Sequence, residues 1–542
     1  MQKTTVKILS ALALLSAGHA QAQVQLLNDY QTTQTDTIGT YQNILFREGG
    51  FSTLFPIAHT NGTEFYTCSD RGVNIDGAEA NPSGCHPTYD KIFPFPGYAP
   101  KIHHVKISGN TIEILESFTI KRPDGSNASG LINPTGFGST ASEVASTDTV
   151  EDCNNFSQKV APKDIWGIDP EGLVVDGNGN FWLSEENGPT IWKLDANGNV
   201  SKRYTPYASQ AGTGNIDQQI DTVWKYRKNN RGLESLTMTP NGKIYALIQS
   251  PLLYPDEQTG EHTQVHRLME LDPTSGAPRM FAYLNEGEIG SGDNKIRLKD
   301  WKVSDMAAVN DSMFLVIEAA QRGQTDIKKI YLININQATP INSGLYNGQT
   351  AEALADSAHL AAEGIRPISK TLFLDLLANG WPAQLGKAEG LAIINDSTIA
   401  VVNDNDFGQV SPEEDGIATA TGETNHILTF RLQGSNKIPN YVPLSPDSPS
   451  GIEETVFRED ILVYPNPAHQ YVTVQFNVVK TTAVHIELVD ALGRKALQNV
   501  QKPLHTGVNN IQITTQNLPA GIYFLNIRNN EYQKHVKVII RH

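Results

Sequence analysis

DPEGLVVDGNGNFWLSEENGP, residues 169–189, decides the fold. Two apolar runs, LVV and FWL, flank Asp176-Gly177-Asn178-Gly179-Asn180, the residue types that close a β-hairpin. Glu171 stands just before the first run, and Glu185 and Glu186 follow the second. The pattern recurs. RGLESL at 231–236 leads to IQSPL at 248–252, VSDMA at 303–307 to VIEAAQRG at 316–323, and KAEGLAI at 387–393 to VNDNDFG at 402–408. Glu234, Asp305 and Glu389 take the place of Glu171 in these copies, and Gln249, Glu318 and Asp404 close them at nearly constant spacing. A repeated hairpin with a charged residue at the same point of each copy is how a β-propeller places one carboxylate per blade around its axis. A less regular first copy is GGFSTLF at 49–55 with FYTCSDRG at 65–72. The longer interval that follows has room for an extra blade, with KIHHVKI at 101–107 and TIEILESFTI at 111–120 as strands. The expected fold is all-β: a propeller of five to six blades over 41–434, then a small C-terminal β-sandwich.

The flanks carry their own signals. Lys3 and Lys7, the apolar stretch Ile8–Gly18 and Ala20-Gln21-Ala22 form a secretory signal over 1–22, too short to span a bilayer. Residues 23–40 are Gln/Thr-rich and read as a loose lead-in. Residues 124–149 read as a long surface loop, and 350–363 as a helical insertion between blades. SNKIPNYVPLSPDSPSG within 435–455 is a Pro/Ser-rich linker. Beyond it, VTVQF, VHIELVD, GIYFLNI and HVKVII alternate as the strands of a sandwich do. The net charge of −16 disfavours nucleic acid and anionic membranes as partners. Of the three cysteines, Cys68 and Cys85 form the pair with the shorter loop, leaving Cys153 single.

Two resemblances organise these signals. VYPNPAHQYVTVQF at 463–476, VDALGRKAL at 489–497 and LPAGIYFLNI at 518–527 resemble the C-terminal sorting domain of the type IX secretion system of Bacteroidetes, over 456–542. That resemblance implies a secreted or surface-attached protein handled by the type IX machinery after signal-peptide export. GGFSTLF with SDRG, DPEGL with SEENGP, RGLESL with QSPL, SDMAAV with VIEAAQRG and KAEGLAI with NDNDFG resemble, in order, the family described as having esterase-like activity of phytase.

The residues themselves point to a charged site. Glu171, Glu186, Glu234, Glu318, Glu389, Asp404 and Asp406 offer hard oxygen ligands, a set suited to calcium or magnesium rather than zinc. Arg71, Arg231 and Arg322 lie in or beside the same motifs, and a guanidinium matches phosphate oxygens two at a time. Salt bridging between blades accounts for these arginines as well. Glu171, Glu185, Glu234 and Glu389 are the expected catalytic carboxylates. No G-x-S-x-G elbow and no H-E-x-x-H is present. His103 and His104, adjacent on one strand, face opposite ways, so at most one reaches a site. The expected activity is metal-assisted hydrolysis of a phosphoric ester. The alternatives are a metal-dependent lactonase or carboxylesterase, and a non-catalytic ligand-binding propeller.

Overall fold

The structure is a computed structural model describing residues 24–77, 89–138, 144–149, 154, 156–208, 216–276, 278–444, 462–478, 482–490, 494–505, 507–528 and 533–542. The expected signal at 1–22 lies outside these residues. The chain divides into two compact units, Met1–Ser450 and Gly451–His542.

In the first unit each repeat folds into an antiparallel sheet whose first strand is innermost. Blade 1 consists of Phe55–Pro56, Glu64–Cys68, Lys101–Ser108 and Thr111–Thr119. Blade 2 consists of Pro170–Val175, Phe181–Glu185, Thr190–Leu194 and Val200–Thr205. Blade 3 consists of Leu233–Met238, Ile244–Ile248, Val265–Leu271 and Arg279–Leu284, and blade 4 of Trp301–Ala308, Met313–Arg322, Thr325–Asn334 and Ser369–Asp375. Blade 5 has Lys387–Asn395, Thr398–Asp404 and His426–Leu432. Its outer strand is Val24–Thr32, paired antiparallel with His426–Leu432 from Val24 opposite Leu432 to Gln31 opposite His426.

Each innermost strand packs on the next, and that of blade 5 on that of blade 1, so the ring closes. Five buried apolar clusters fill the five blade interfaces. A blade is covered on both faces, which is why runs such as Leu173–Val175 are continuously apolar rather than alternating.

The structure corrects several expectations. Residues 24–32 are not a loose lead-in but the strand that closes the ring. Its exposed Gln25 and Gln31 suit an outer edge that faces solvent. The strands at 101–107 and 111–120 belong to blade 1 and add no further blade. The extra length of that interval instead forms a small sheet of Ile75–Asp76, Tyr89–Ile92 and Val144–Ser146. Ala128, Leu131 and Ile132, expected on a surface loop, are buried. The helix at 350–363 shortens to Ser357–Ala362, capped by Asp356; it is inserted in the chain between the last two strands of blade 4, and its Leu360 packs in the apolar cluster between blades 2 and 3. The first part of the linker is packed: Ile438 is buried, and the Val442 N–H donates to the Val309 carbonyl at 2.8 Å. Cys68 carries a free, buried thiol. Its expected partner Cys85, like Cys153, lies outside the described residues. Asp176 does close a turn, accepting from the N–H groups of Asn178 and Asn180 at 2.9 and 3.0 Å.

The second unit is a two-sheet sandwich. Leu462–Tyr464, Tyr471–Val478 and Gly507–Thr514 form one sheet. Lys495–Leu504, Thr482–Asp490, Gly521–Arg528 and Gln533–Ile540 form the other. Alternate residues of both, Val472, Val474 and Phe476 against Ile486, Leu488 and Leu525, meet in its core. No helix of the described residues is long and apolar enough to cross a membrane.

Candidate functional site

A β-bulge in the innermost strand builds the site. Pairing in blade 2 shifts register between Pro170 and Gly172, in blade 3 between Leu233 and Ser235, and in blade 5 between Ala388 and Gly390. The extra residue is Glu171, Glu234 and Glu389 in turn. A bulged residue is left unpaired and its side chain is re-aimed; here it faces the axis. In blades 2 and 5 the glycine after it lets the next blade come close. A Cβ on Gly172 would lie 2.4 Å from the backbone nitrogen of Leu236, and one on Gly390 would lie 2.4 Å from the Thr53 carbonyl carbon.

Blade 4 has its bulge at Ser304 and Asp305, but the acid sits one position later than in the other blades. One residue along a strand reverses the side chain's direction. Ser304 therefore takes the glutamate's place and bonds Glu389. Asp305 borders a separate, mainly apolar cavity of about 670 Å³ that also includes Leu173, Leu236, Met238 and Ile393. Its carboxylate accepts from the N–H groups of Leu391 at 2.8 Å and Met306 at 2.7 Å and from the Thr53 hydroxyl at 3.2 Å, joining blades 4, 5 and 1. Asp305→Ala is expected to destabilise the propeller by about 3 kcal/mol, because it strands two buried backbone donors at about 1–3 kcal/mol each. Urea unfolding measures this, and a loss below about 0.5 kcal/mol, ordinary for a surface change, would contradict the bridging role.

The bulged glutamates open into a cavity of about 240 Å³. Nine acidic and four basic side chains line it, so the acids outnumber the charges available to neutralise them. Arg71 Nη1 pairs with Asp169 at 3.2 Å, and Lys91 pairs with Asp76. Lys387 Nζ pairs with Asp404 at 2.6 Å and Asp406 at 2.7 Å. Lys302, the fourth basic group, has no ion-pair partner among the described residues and faces Glu389 and Glu234 electrostatically. Burial, then like charges, holds Asp70, Glu171 and Glu234 well above the usual carboxylate range. Burial and Asp169 push Glu186 up to about 8; burial, offset in part by Lys387, leaves Asp404 at about 7. For Asp169 burial acts upward too, but the Arg71 charge and a hydrogen bond from Asp70 outweigh it and the net shift is down. Burial, then Arg231 and Lys387, lowers Lys302.

Two groups of three carboxylates have ligand atoms within 4.8 Å of one another: Asp70 with Asp169 and Glu171, and Asp70 with Asp404 and Asp406. Around them Glu234 Oε2, Gln249 Oε1 and Gln409 Oε1 have no hydrogen-bond partner, on residues only 3, 6 and 7 % exposed. Buried acceptor oxygens without a donor are costly. A hard cation would satisfy them, so the donor set fits calcium or magnesium.

Of the sequence candidates, Glu171, Glu186, Glu234, Glu389, Asp404, Asp406 and Arg71 line this cavity. Arg231 stands behind its wall, donating to Ser250 Oγ at 3.1 Å. Three candidates lie elsewhere. Glu185 accepts from the N–H groups of Asn187 at 2.9 Å and Asp169 at 3.3 Å and from the Thr190 hydroxyl at 3.2 Å, so it shapes a loop rather than facing the cavity. Glu318 pairs with Lys370 at 2.5 Å in the blade wall. Arg322 pairs with Asp300 at 3.5 Å and bonds the Asp293 carbonyl. His103 and His104 do occupy opposite faces: the first is buried, the second pairs with Glu64, and neither reaches the cavity. Sequence reasoning missed Asp70, Asp169, Lys302 and Lys387. Three of these stand two residues before a bulge, at 169, 302 and 387, where the strand's period of two returns a side chain to the bulge's side.

Residues 47–407 match the model of the phytase-like family, described as esterase-like activity of phytase. The chain belongs to that family. Residues 462–541 match the secretion system C-terminal sorting domain, which marks this family member for type IX secretion, to the surface or the medium. An uncharacterized secreted protein of Arthroderma benhamiae is 22 % identical over 418 residues, covering 68 % of this chain and 78 % of its own. Among solved structures, the PQQ-bound aldose sugar dehydrogenase of Streptomyces coelicolor aligns with TM-score 0.28 and 12 % identity, covering 75 % of this chain and 97 % of its own. Streptogramin B lyase aligns with TM-score 0.25 and 12 % identity over the same shares.

Proposed function

We propose that this family member is an exported hydrolase of phosphoric esters that works with a divalent cation, calcium or magnesium, in the carboxylate-lined cavity. The observation that carries the reading is the ring of bulged glutamates with donorless oxygens beside them on Glu234, Gln249 and Gln409. Asp70, Asp169 and Glu171 would hold the cation, with Glu234 beside them. When bound, it supplies Lewis-acid polarisation of a phosphoryl oxygen and a more acidic water.

The chain's own residues do the rest. Lys302, without an ion-pair partner among the described residues, would meet an anionic phosphoryl group. Arg71 is committed: Nε donates to the Gly130 carbonyl at 3.1 Å and Nη1 to Asn230 Oδ1 at 3.2 Å, so it fixes Asp169 rather than the substrate. Glu186, at about 8, carries a proton at neutral pH. It can pass that proton to the leaving alkoxide as the phosphorus–oxygen bond breaks, and regain one from the attacking water.

The family description, which names an esterase-like activity, favours cleavage of a carboxylic ester or lactone as a second reading. Purified protein assayed on a chromogenic phosphomonoester and a chromogenic acetyl ester, with and without chelator, separates the two. Phosphate release abolished by chelator is the expected result. Cleavage of the acetyl ester alone would replace it with the second reading, and no cleavage of either would leave a binding propeller.

A further inference from the structure

We infer that the cavity has two cation positions and that the chain fills one of them itself, with the Lys387 ammonium. The inference deepens the cation reading above and rests on it. The two carboxylate groups share Asp70, so a charge in either position is felt in the other. They are not equivalent. In the group of Asp70, Asp404 and Asp406, Lys387 Nζ lies 2.6 Å from Asp404 and 2.7 Å from Asp406. An ammonium at those distances from two carboxylates does the electrostatic work of a bound ion.

The other group has no such resident. Asp169 is held from one side by Arg71, whereas Asp70 and Glu171 have no ion-pair partner among the described residues. Glu234 Oε2, buried and without a donor, lines the same cavity. An exchangeable cation therefore belongs at Asp70, Asp169 and Glu171. Two-metal sites clamp the attacking and leaving oxygens of a phosphoryl group between two ions. Here a fixed ammonium takes the place of one of them, so the protein needs a single ion from its surroundings.

The test counts bound calcium. Protein stripped with chelator is dialysed to equilibrium against calcium, and the metal per chain is measured by emission spectrometry. The wild type is expected to bind one ion and Lys387→Gln two, since the substitution empties the second position. Two ions in the wild type, or one in Lys387→Gln at saturating calcium, would overturn the inference and leave the cation reading standing. No ion in the wild type would overturn both. If Lys387→Gln does not fold, Asp406→Asn decides. This side chain is 45 % exposed, and its amide keeps the shape and the lysine. One bound calcium is expected. Loss of that calcium would put the exchangeable ion at the lysine's position and reject the inference.

Discussion

Asp70→Asn is expected to remove most of the calcium response of the propeller and to cut phosphomonoester hydrolysis by on the order of a hundredfold or more, the scale on which a preorganised charge at the reacting group acts. Asp70 belongs to both carboxylate groups. Among the described residues, no other carboxylate belongs to both groups. Its carboxyl also lies against Asp169, with which it shares a hydrogen bond when protonated. Without a cation, that proton is what keeps the two carboxyls together; with one, both can ionise. An ion that binds only the folded chain stabilises it by RT ln(1 + [L]/Kd), about 2.7 kcal/mol at a hundredfold excess over Kd. Calcium should therefore raise the wild-type melting temperature, chelator should lower it, and Asp70→Asn should flatten both shifts. The amide keeps an acceptor for the Arg71 N–H that Asp70 Oδ1 now receives, so the fold is spared. Glu318→Gln is the control. It breaks the pair with Lys370 and lowers the melting temperature, but leaves the shift with calcium intact, because Glu318 lies outside the cavity. A full calcium shift in Asp70→Asn, or its loss in Glu318→Gln, would move the cation away from the axis.

These two residues also show how far the sequence could be read. The repeated acid before each apolar run located the axis, because a hairpin's register fixes which end of the strand carries it. What the spacing could not show was direction. Asp305 and Glu234 look alike in their motifs, yet a bulge one residue out of step sends Asp305 to the far cavity and gives its place to Ser304. Glu318 and Asp404 close their copies alike as well. One meets a lysine in the wall and the other a lysine in the cavity, and that depends on neighbours distant in the chain. Asp169 and Lys387 stand inside the repeated motifs, two residues before the glutamates, but do not recur at that position in every copy. Val24–Thr32 is hidden in the sequence for a related reason. An outer strand is paired along its length on one side only, so it carries little apolar signal, and its main partner, His426–Leu432, is far away in the chain, with Thr111 and Ile112 meeting only its end.

Glu352→Ala is expected to cost about 3–5 kcal/mol of folding free energy, the price of leaving a buried charge without its partner. Arg267, in the third strand of blade 3, and Glu352 are both 0 % exposed. They meet as a fork, Nε to Oε1 at 2.6 Å and Nη2 to Oε2 at 2.9 Å, while Nη1 donates to the Asn342 carbonyl at 3.0 Å. Burial alone would favour loss of the arginine's proton, but Glu352 outweighs it and the guanidinium stays charged. Glu352 reaches blade 3 from the insertion inside blade 4, so the pair fastens that insertion to its neighbour. Removing the glutamate strands the guanidinium in apolar surroundings, whereas removing both charges need not be costly: buried pairs replaced by apolar residues of similar volume are often neutral or stabilising. The double substitution Arg267→Met with Glu352→Leu should therefore recover most of the loss. Urea unfolding of the single and double variants measures both terms. A single-variant loss below about 1 kcal/mol, the ceiling for exposed pairs, would mean that water reaches the guanidinium. Neither residue lines the cavity, so the folded fraction of each variant should bind calcium as the wild type does.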